Sequence, residues 1–453
     1  MTSVRRSLVS GLWFAIVLLV LSVPSAHAIP AFARKYGLRC SACHAAWPVL
    51  NDFGWRFKDN GYQLMNDRDA PIWQHPSYWP VTFRTTPNWH REKTNKVSVD
   101  VGGGVNNGQV GTTQHGFDLS GLDILTGGTL EKNISFLLTP SSDNTGAFHF
   151  ESAWVRLDNL LRSPWLNFRF GKFELDNFIS EKRTLTLSRA GGIYQLYHFV
   201  PPNDVNTFGQ IGNNQLGLEW QGHSFNDRTR LSAALFSSND GNVNLQNANT
   251  YSGFFNISQA FDLGGLGLQR VGAYYFIGQA PTYSLTSAGV PIPGSSLGSK
   301  SFNREGFWGD FFIYKFEIPV YFQHGSDNPH FAITPPGATS PPTPANVPLP
   351  PGARAPTWNG VFVEPRFVVN PQLVLFHRTE IVRMSQQALP GSISSNLGDL
   401  NVYTFGYRWY PIMTSRAGFA FHNEYSRIIQ RSAAPDGTDL NSSSVFVGFD
   451  LDF

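Results

Sequence analysis

Val445-Phe446-Val447-Gly448-Phe449-Asp450-Leu451-Asp452-Phe453 ends the chain. Side chains alternate along an extended backbone, so Val445, Val447, Phe449, Leu451 and Phe453 share one face, and Phe446, Gly448, Asp450 and Asp452 share the other. The first face is wholly apolar and the second is mostly small or acidic. That contrast suits a strand with lipid on one side and a polar lumen on the other. The same period of two runs through Tyr403, Phe405, Tyr407 and Trp409. It also runs through Ala417, Phe419, Phe421 and Tyr425 against Gly418, His422, Glu424 and Ser426. Leu216, Leu218 and Trp220 alternate with Gln215, Gly217 and Glu219, and Leu166, Phe168 and Phe170 with Asn167, Arg169 and Gly171.

Working back from the C-terminus, the pattern predicts strands near 96–105, 115–127, 131–139, 147–158, 165–174, 214–222, 228–238, 250–262, 266–279, 303–314, 317–325, 357–369, 371–386, 399–411, 415–428 and 442–453. The count is even, as closure with both chain ends on one side requires. The connections alternate between short and long, which matches the short turns and long outer loops of such barrels. The longest, 175–213, carries Arg183, Arg189, Tyr194, Tyr197 and His198; it either folds inward and narrows the pore or forms an outer flap. The terminal Phe453 with alternate apolar residues before it resembles the C-terminal signature of bacterial outer-membrane barrels.

Composition agrees. Of 453 residues only 15% are charged while 14% are aromatic, against about 25% charged in soluble domains, which argues against an ordinary cytosolic enzyme. At 41% hydrophobic the chain is too polar for a bundle of membrane helices. Arg5 and Arg6, an apolar core from Gly11 to Val23 and Ala26-His27-Ala28 read as a cleaved signal peptide over residues 1–28, so the protein is exported. Without Arg5 and Arg6, the basic residues of the mature chain equal its 32 acids. A neutral chain with no basic run offers nothing to nucleic acid.

Both cysteines of the chain lie in Cys40-Ser41-Ala42-Cys43-His44. This is C-x-x-C-H, the attachment sequence for haem c: two thiols on one side of a helical turn add to the haem vinyl groups, and the adjacent imidazole binds the iron. A redox dithiol would want a thioredoxin-like setting, and a zinc site would want further Cys or His ligands. After the motif, Pro48 suits a first helical position, and Leu50, Phe53, Gly54 and Phe57 recur at helical spacing before Asn60-Gly61, leaving one apolar face for the porphyrin. For the distal iron position Met65 is the first choice, since a thioether raises the potential; His75, His90 and an open position are the alternatives.

The chain thus divides into a signal peptide (1–28), a monohaem cytochrome c segment with linker (29–95) and a barrel (96–453). The expected fold is mainly β: a porin-like antiparallel transmembrane barrel of sixteen strands with a short α-helical haem segment before it. So few residues cannot bury a haem alone, so the segment is expected within the lumen or at its periplasmic mouth, with a tethered periplasmic knob as the alternative.

Phe32-Ala33-Arg34, Gly37, Cys40 to His44, Pro48, Leu50, Phe53-Gly54, Phe57-Lys58 and Gly61-Tyr62 together resemble the N-terminal signature of the monohaem cytochrome-porin fusions of the bacterial outer membrane, among them the outer-membrane Fe(II) oxidases. The resemblance covers residues 29–64 closely and the barrel only in architecture. It implies a haem held by Cys40 and Cys43 with His44 as proximal ligand, inside a sixteen-stranded porin. Such a protein would sit in outer-membrane lipid, take electrons from extracellular Fe(II) or another reductant, and pass them to a periplasmic carrier, a soluble cytochrome or a cupredoxin. Two other readings stay open: a diffusion porin plugged by the haem segment, and a haem-based redox sensor or outward conduit.

Overall fold

The computed structural model describes residues 32, 36, 38, 40–46, 49–64, 81–99, 108–142, 147–178, 194–200, 209–238, 241, 250–285, 291–328, 355, 357–385, 399–413, 418–431 and 438–452. Met65 and His75 lie outside them.

The sheet is a closed antiparallel barrel in which each strand pairs with the next and the last, Leu440–Asp452, pairs with the first, Val81–Val99. Closure leaves no unpaired edge, as a sheet in lipid requires. Thr357–Val363 and Arg366–Asn370 are two halves of one stave, both pairing with Phe316–Ser326 and Leu373–Met384, so the barrel has sixteen staves, as expected. The break at Glu364-Pro365 sits opposite Pro319, and the Glu364 side chain is fully buried in the lumen. A break of this kind re-aims a side chain at small cost to pairing.

Polarity is inverted relative to a soluble protein. Outward positions carry exposed apolar groups such as Phe255, Phe307 (67% exposed), Phe405 and Val447, whereas the inward Arg378, Glu380, Arg408 and Asp450 are wholly buried. On the final strand Val447 is exposed and Phe446, Gly448 and Asp450 are buried, the division that the alternation predicts. An apolar jacket around a charged interior is the architecture of a membrane-spanning barrel.

Two boundaries differ from expectation. The first strand begins at Val81 rather than near 96, and its partner runs Gly108–Glu131. Pro87, at a register irregularity, and the exposed Arg91, Lys93 and Asn95 at its far end hide the alternation. Likewise, Leu268–Leu285 and Pro291–Ile313 extend through much of the expected loop 280–302. Serine, glycine and proline dominate that stretch, so no apolar period marks it as strand.

Candidate functional site

The motif opens as a helical turn, Cys40–Cys43, and His44 continues it into His44–Ala46, which pairs with Val49–Leu50 so that His44 stands opposite Leu50. A second helix, Asp52–Asp59, follows. It begins later than a start at Pro48, which lies outside the described residues. Asn51 is the true N-cap: its Oδ1 accepts from Gly54 N at 2.9 Å, its Nδ2 donates to Ala42 O at 3.0 Å, and its own N–H donates to Cys43 O at 2.9 Å. One asparagine thus caps the helix and fixes the carbonyls of the cysteine turn. Gly54 permits the contact, because a Cβ there would lie 2.1 Å from Cys43 O.

Cys43 and His44 are half-buried. Burial pushes the Cys43 thiol up to about 11, so it is protonated at neutral pH and unlike the low-pKa thiolate of a redox dithiol. Two thiols and an imidazole within five residues, on a turn held by Asn51 and Gly54, fit the donor set for a covalently attached haem. Among the described residues no group of three or more His, Cys, Asp or Glu side chains could hold a metal ion. His90 is on the first barrel strand, its Nε2 2.8 Å from Ser444 Oγ and 3.4 Å from Glu92 Oε1.

The helix docks in the lumen through its C-terminal half. Arg156 Nη2 donates to Lys58 O at 2.9 Å and Asp59 O at 3.3 Å, and Asn159 Nδ2 donates to Asn60 Oδ1 at 3.1 Å. Asp59 pairs with Arg230 Nε at 3.0 Å, and Lys58 with Asp176 at 3.7 Å. Burial disfavours the Asp59 charge, but Arg230, Lys58, His223 and Arg156 outweigh it and hold its carboxyl down at about 2. Gly61, at φ 76°, lies against the Asp158 carboxylate, where a Cβ would be 2.7 Å away.

The apolar residues of the helix meet aromatic side chains of the segment, and Tyr62 beyond it meets the wall. Phe57 packs at 5.5 Å centroid distance from both Phe32 and Tyr36, and Tyr62 stacks on Phe32 at 4.7 Å and on Trp154 of the wall at 6.3 Å. The lumen wall supplies the surface that so short a segment lacks, and each aromatic pair adds about 0.5–1.5 kcal/mol beyond its area.

The described residues of the loop after Asn167–Phe173 fold inward. Tyr194, Leu196, Tyr197 and Ile211 are wholly buried. Tyr194 OH donates to Glu364 Oε1 at 3.1 Å and accepts from Arg366 Nη2 at 3.2 Å, while Leu196 N donates to Glu380 Oε2 at 2.8 Å. Arg378 bridges Glu364 and Glu380 at 3.1 and 3.0 Å. Arg183 and Arg189 lie outside the described residues. Sequence reasoning missed Asn51, Asp59, Arg156, Arg230 and Glu364 and gave Lys58 no docking role; for the charged ones the one signal is charge on the inward parity of a strand or next to the motif, and for Asn51 it is a polar residue just before the helix.

No protein-family model and no curated protein matches the chain in sequence. Among solved structures it is similar to the outer membrane channel DcaP of Acinetobacter baumannii, at 12% identity and a TM-score of 0.48 over 83% of this chain and 97% of that one. It is also similar to an anion-selective porin from Comamonas acidovorans, at 11% identity and a TM-score of 0.49 over 82% and 99%. OmpF of Salmonella typhi in complex with daunomycin gives 10% identity and a TM-score of 0.47 over 82% and 98%.

Proposed function

We propose that the protein is an outer-membrane cytochrome-porin that carries single electrons between the cell exterior and the periplasm. The carrying observation is the only cysteine pair of the chain, in C-x-x-C-H, on a turn that Asn51 ties to a helix docked in the lumen. Cys40 and Cys43 would hold one haem c and His44 would bind its iron; the haem supplies one-electron chemistry. The chain ends and short turns would face the periplasm, where a soluble cytochrome or cupredoxin could meet the plug. Fe(II) outside the cell becomes poorly soluble Fe(III), so passing only the electron through an apolar wall of about 25 Å keeps the product outside. Extracellular Fe(II) is therefore the donor we favour.

The protein's role as a solute pore is the second reading, favoured by the sixteen-stranded barrel itself. Against it stands a lumen occupied by both the plug and an inward loop. Purified protein should carry haem that survives denaturation and shows the absorption of a thioether-linked pyridine haemochrome, and Cys43→Ser should weaken that linkage. On intact cells Fe(II) should reduce this haem. Haem that Fe(II) leaves oxidised, but that a periplasmic donor reduces, would overturn the inward direction.

A further inference from the structure

A cleft of about 70 Å³ separates the plug from the wall. Leu50 and Trp55 line it from the plug, Phe178 from the inward loop, and Trp308 and Phe312 from the wall. Phe178 and Trp308 are stacked at 4.9 Å and 10°. The cleft adjoins the cysteine turn, because Leu50 is the register partner of His44, and Trp55 follows the glycine on which the Cys43 carbonyl rests. Asp52, Asp176 and Asp310 share the lining with Arg230 and Arg270, so the aromatic walls suit a flat apolar edge and an anionic group is welcome only at the guanidinium groups.

Arg270, in this cleft, differs from the other arginines of the lumen. Arg156, Arg304, Arg366, Arg378 and Arg408 are fully buried, and each faces a carboxylate. The guanidinium of Arg270 donates only to neutral oxygens: Nη1 to Ser258 Oγ at 3.1 Å and Arg228 O at 3.3 Å, and Nη2 to Asp227 O at 2.6 Å. Asp310 stands directly across the ladder from it and also lines the cleft, yet the two form no ion pair. Arg230, its neighbour in the cleft, is already committed to Asp59 and Asp227. Asp227, Asp59, Asp52 and Asp310 act on this half-buried guanidinium without forming an ion pair with it among the described residues, so its fork is free to receive a carboxylate in direct contact.

We propose that Arg270 receives a propionate carboxylate of the haem carried by Cys40 and Cys43, with the aromatic cleft taking the apolar edge beside it. This rests on reading the Cys40–His44 turn as a haem anchor. The test is redox titration and resonance Raman spectroscopy of purified protein carrying Arg270→Gln or Arg270→Lys. Removing the cation leaves the carboxylate charge uncompensated and favours the ferric state, so Arg270→Gln should lower the midpoint potential and shift the propionate bending band. Arg270→Lys should restore most of the potential while the band stays shifted, since it keeps the charge and loses the fork. If Arg270→Gln does not fold, the propionate band of Arg270→Lys decides alone. Haem present with the band unchanged would overturn this proposal; wild-type protein without attached haem would overturn the anchor reading itself.

Discussion

Asp59 shows how a single side chain can hold the plug. It is the last residue of the helix Asp52–Asp59, its side chain is 13% exposed, and it faces Arg230 and Lys58. With its carboxyl held at about 2, against an ordinary value near 4, the ion pair contributes docking stability that is complete above about pH 4. That contribution is lost as pH falls from about 4 through 2, because protonation removes the charge Arg230 needs. Asp59→Asn leaves Arg230 paired with Asp227 and should destabilise docking by about 2 kcal/mol at neutral pH. Protease susceptibility of residues 40–64 in detergent-folded barrel, followed against pH, measures both effects. A variant as protected as wild type from pH 7 to 4 would show that the aromatic contacts alone hold the plug.

At the scale of elements, the broken stave at Glu364-Pro365 and the inward loop belong together. The break turns Glu364 into the lumen, where Arg366, Arg378 and Tyr194 converge on it. Buried charges are costly unless paired, so this network places the loop only because every member has a partner. Tyr321 completes the seat by accepting from Asn177 Nδ2 at 3.2 Å. Replacing residues 179–208 by a short Gly-Ser linker removes Tyr194, Leu196, Tyr197 and Phe199 from the lumen. Single-channel conductance in planar bilayers should then rise several-fold, with haem content unchanged. Equal conductance would mean that the plug, not the loop, sets the barrier. The helix itself is short, at eight residues, and too short to be stable in water, so its stability comes from the wall.

At the scale of the molecule, the barrel supplies the packing surface that the short segment 40–64 lacks by itself. Trp154, Arg156, Asn159 and Arg230 come from separate strands and turns, and together they form one surface for residues 52–62. Limited proteolysis of the folded protein should therefore leave residues 40–64 associated with the barrel even when the linker is cut. Ready loss of a haem peptide into solution would point instead to a tethered knob.

Strand count, the parity of Val445 to Leu451, and the C-x-x-C-H turn were legible in the sequence because each depends on neighbours two to four residues apart. Where lipid does not touch the strand that signal fades, which is why Val81 and the Leu285–Pro291 hairpin were misplaced. The seat of the plug, the inward course of the loop and the uncommitted guanidinium of Arg270 belong to the tertiary structure alone. They join residues up to 184 positions apart, as in the bond from Leu196 to Glu380, and only closure of the barrel brings such residues together. By itself the sequence determined that a C-x-x-C-H turn precedes a lipid-facing sheet; the closed lumen decided where the helix after that turn rests and which charges hold it, because pairing of buried charge depends on distance in space rather than along the chain.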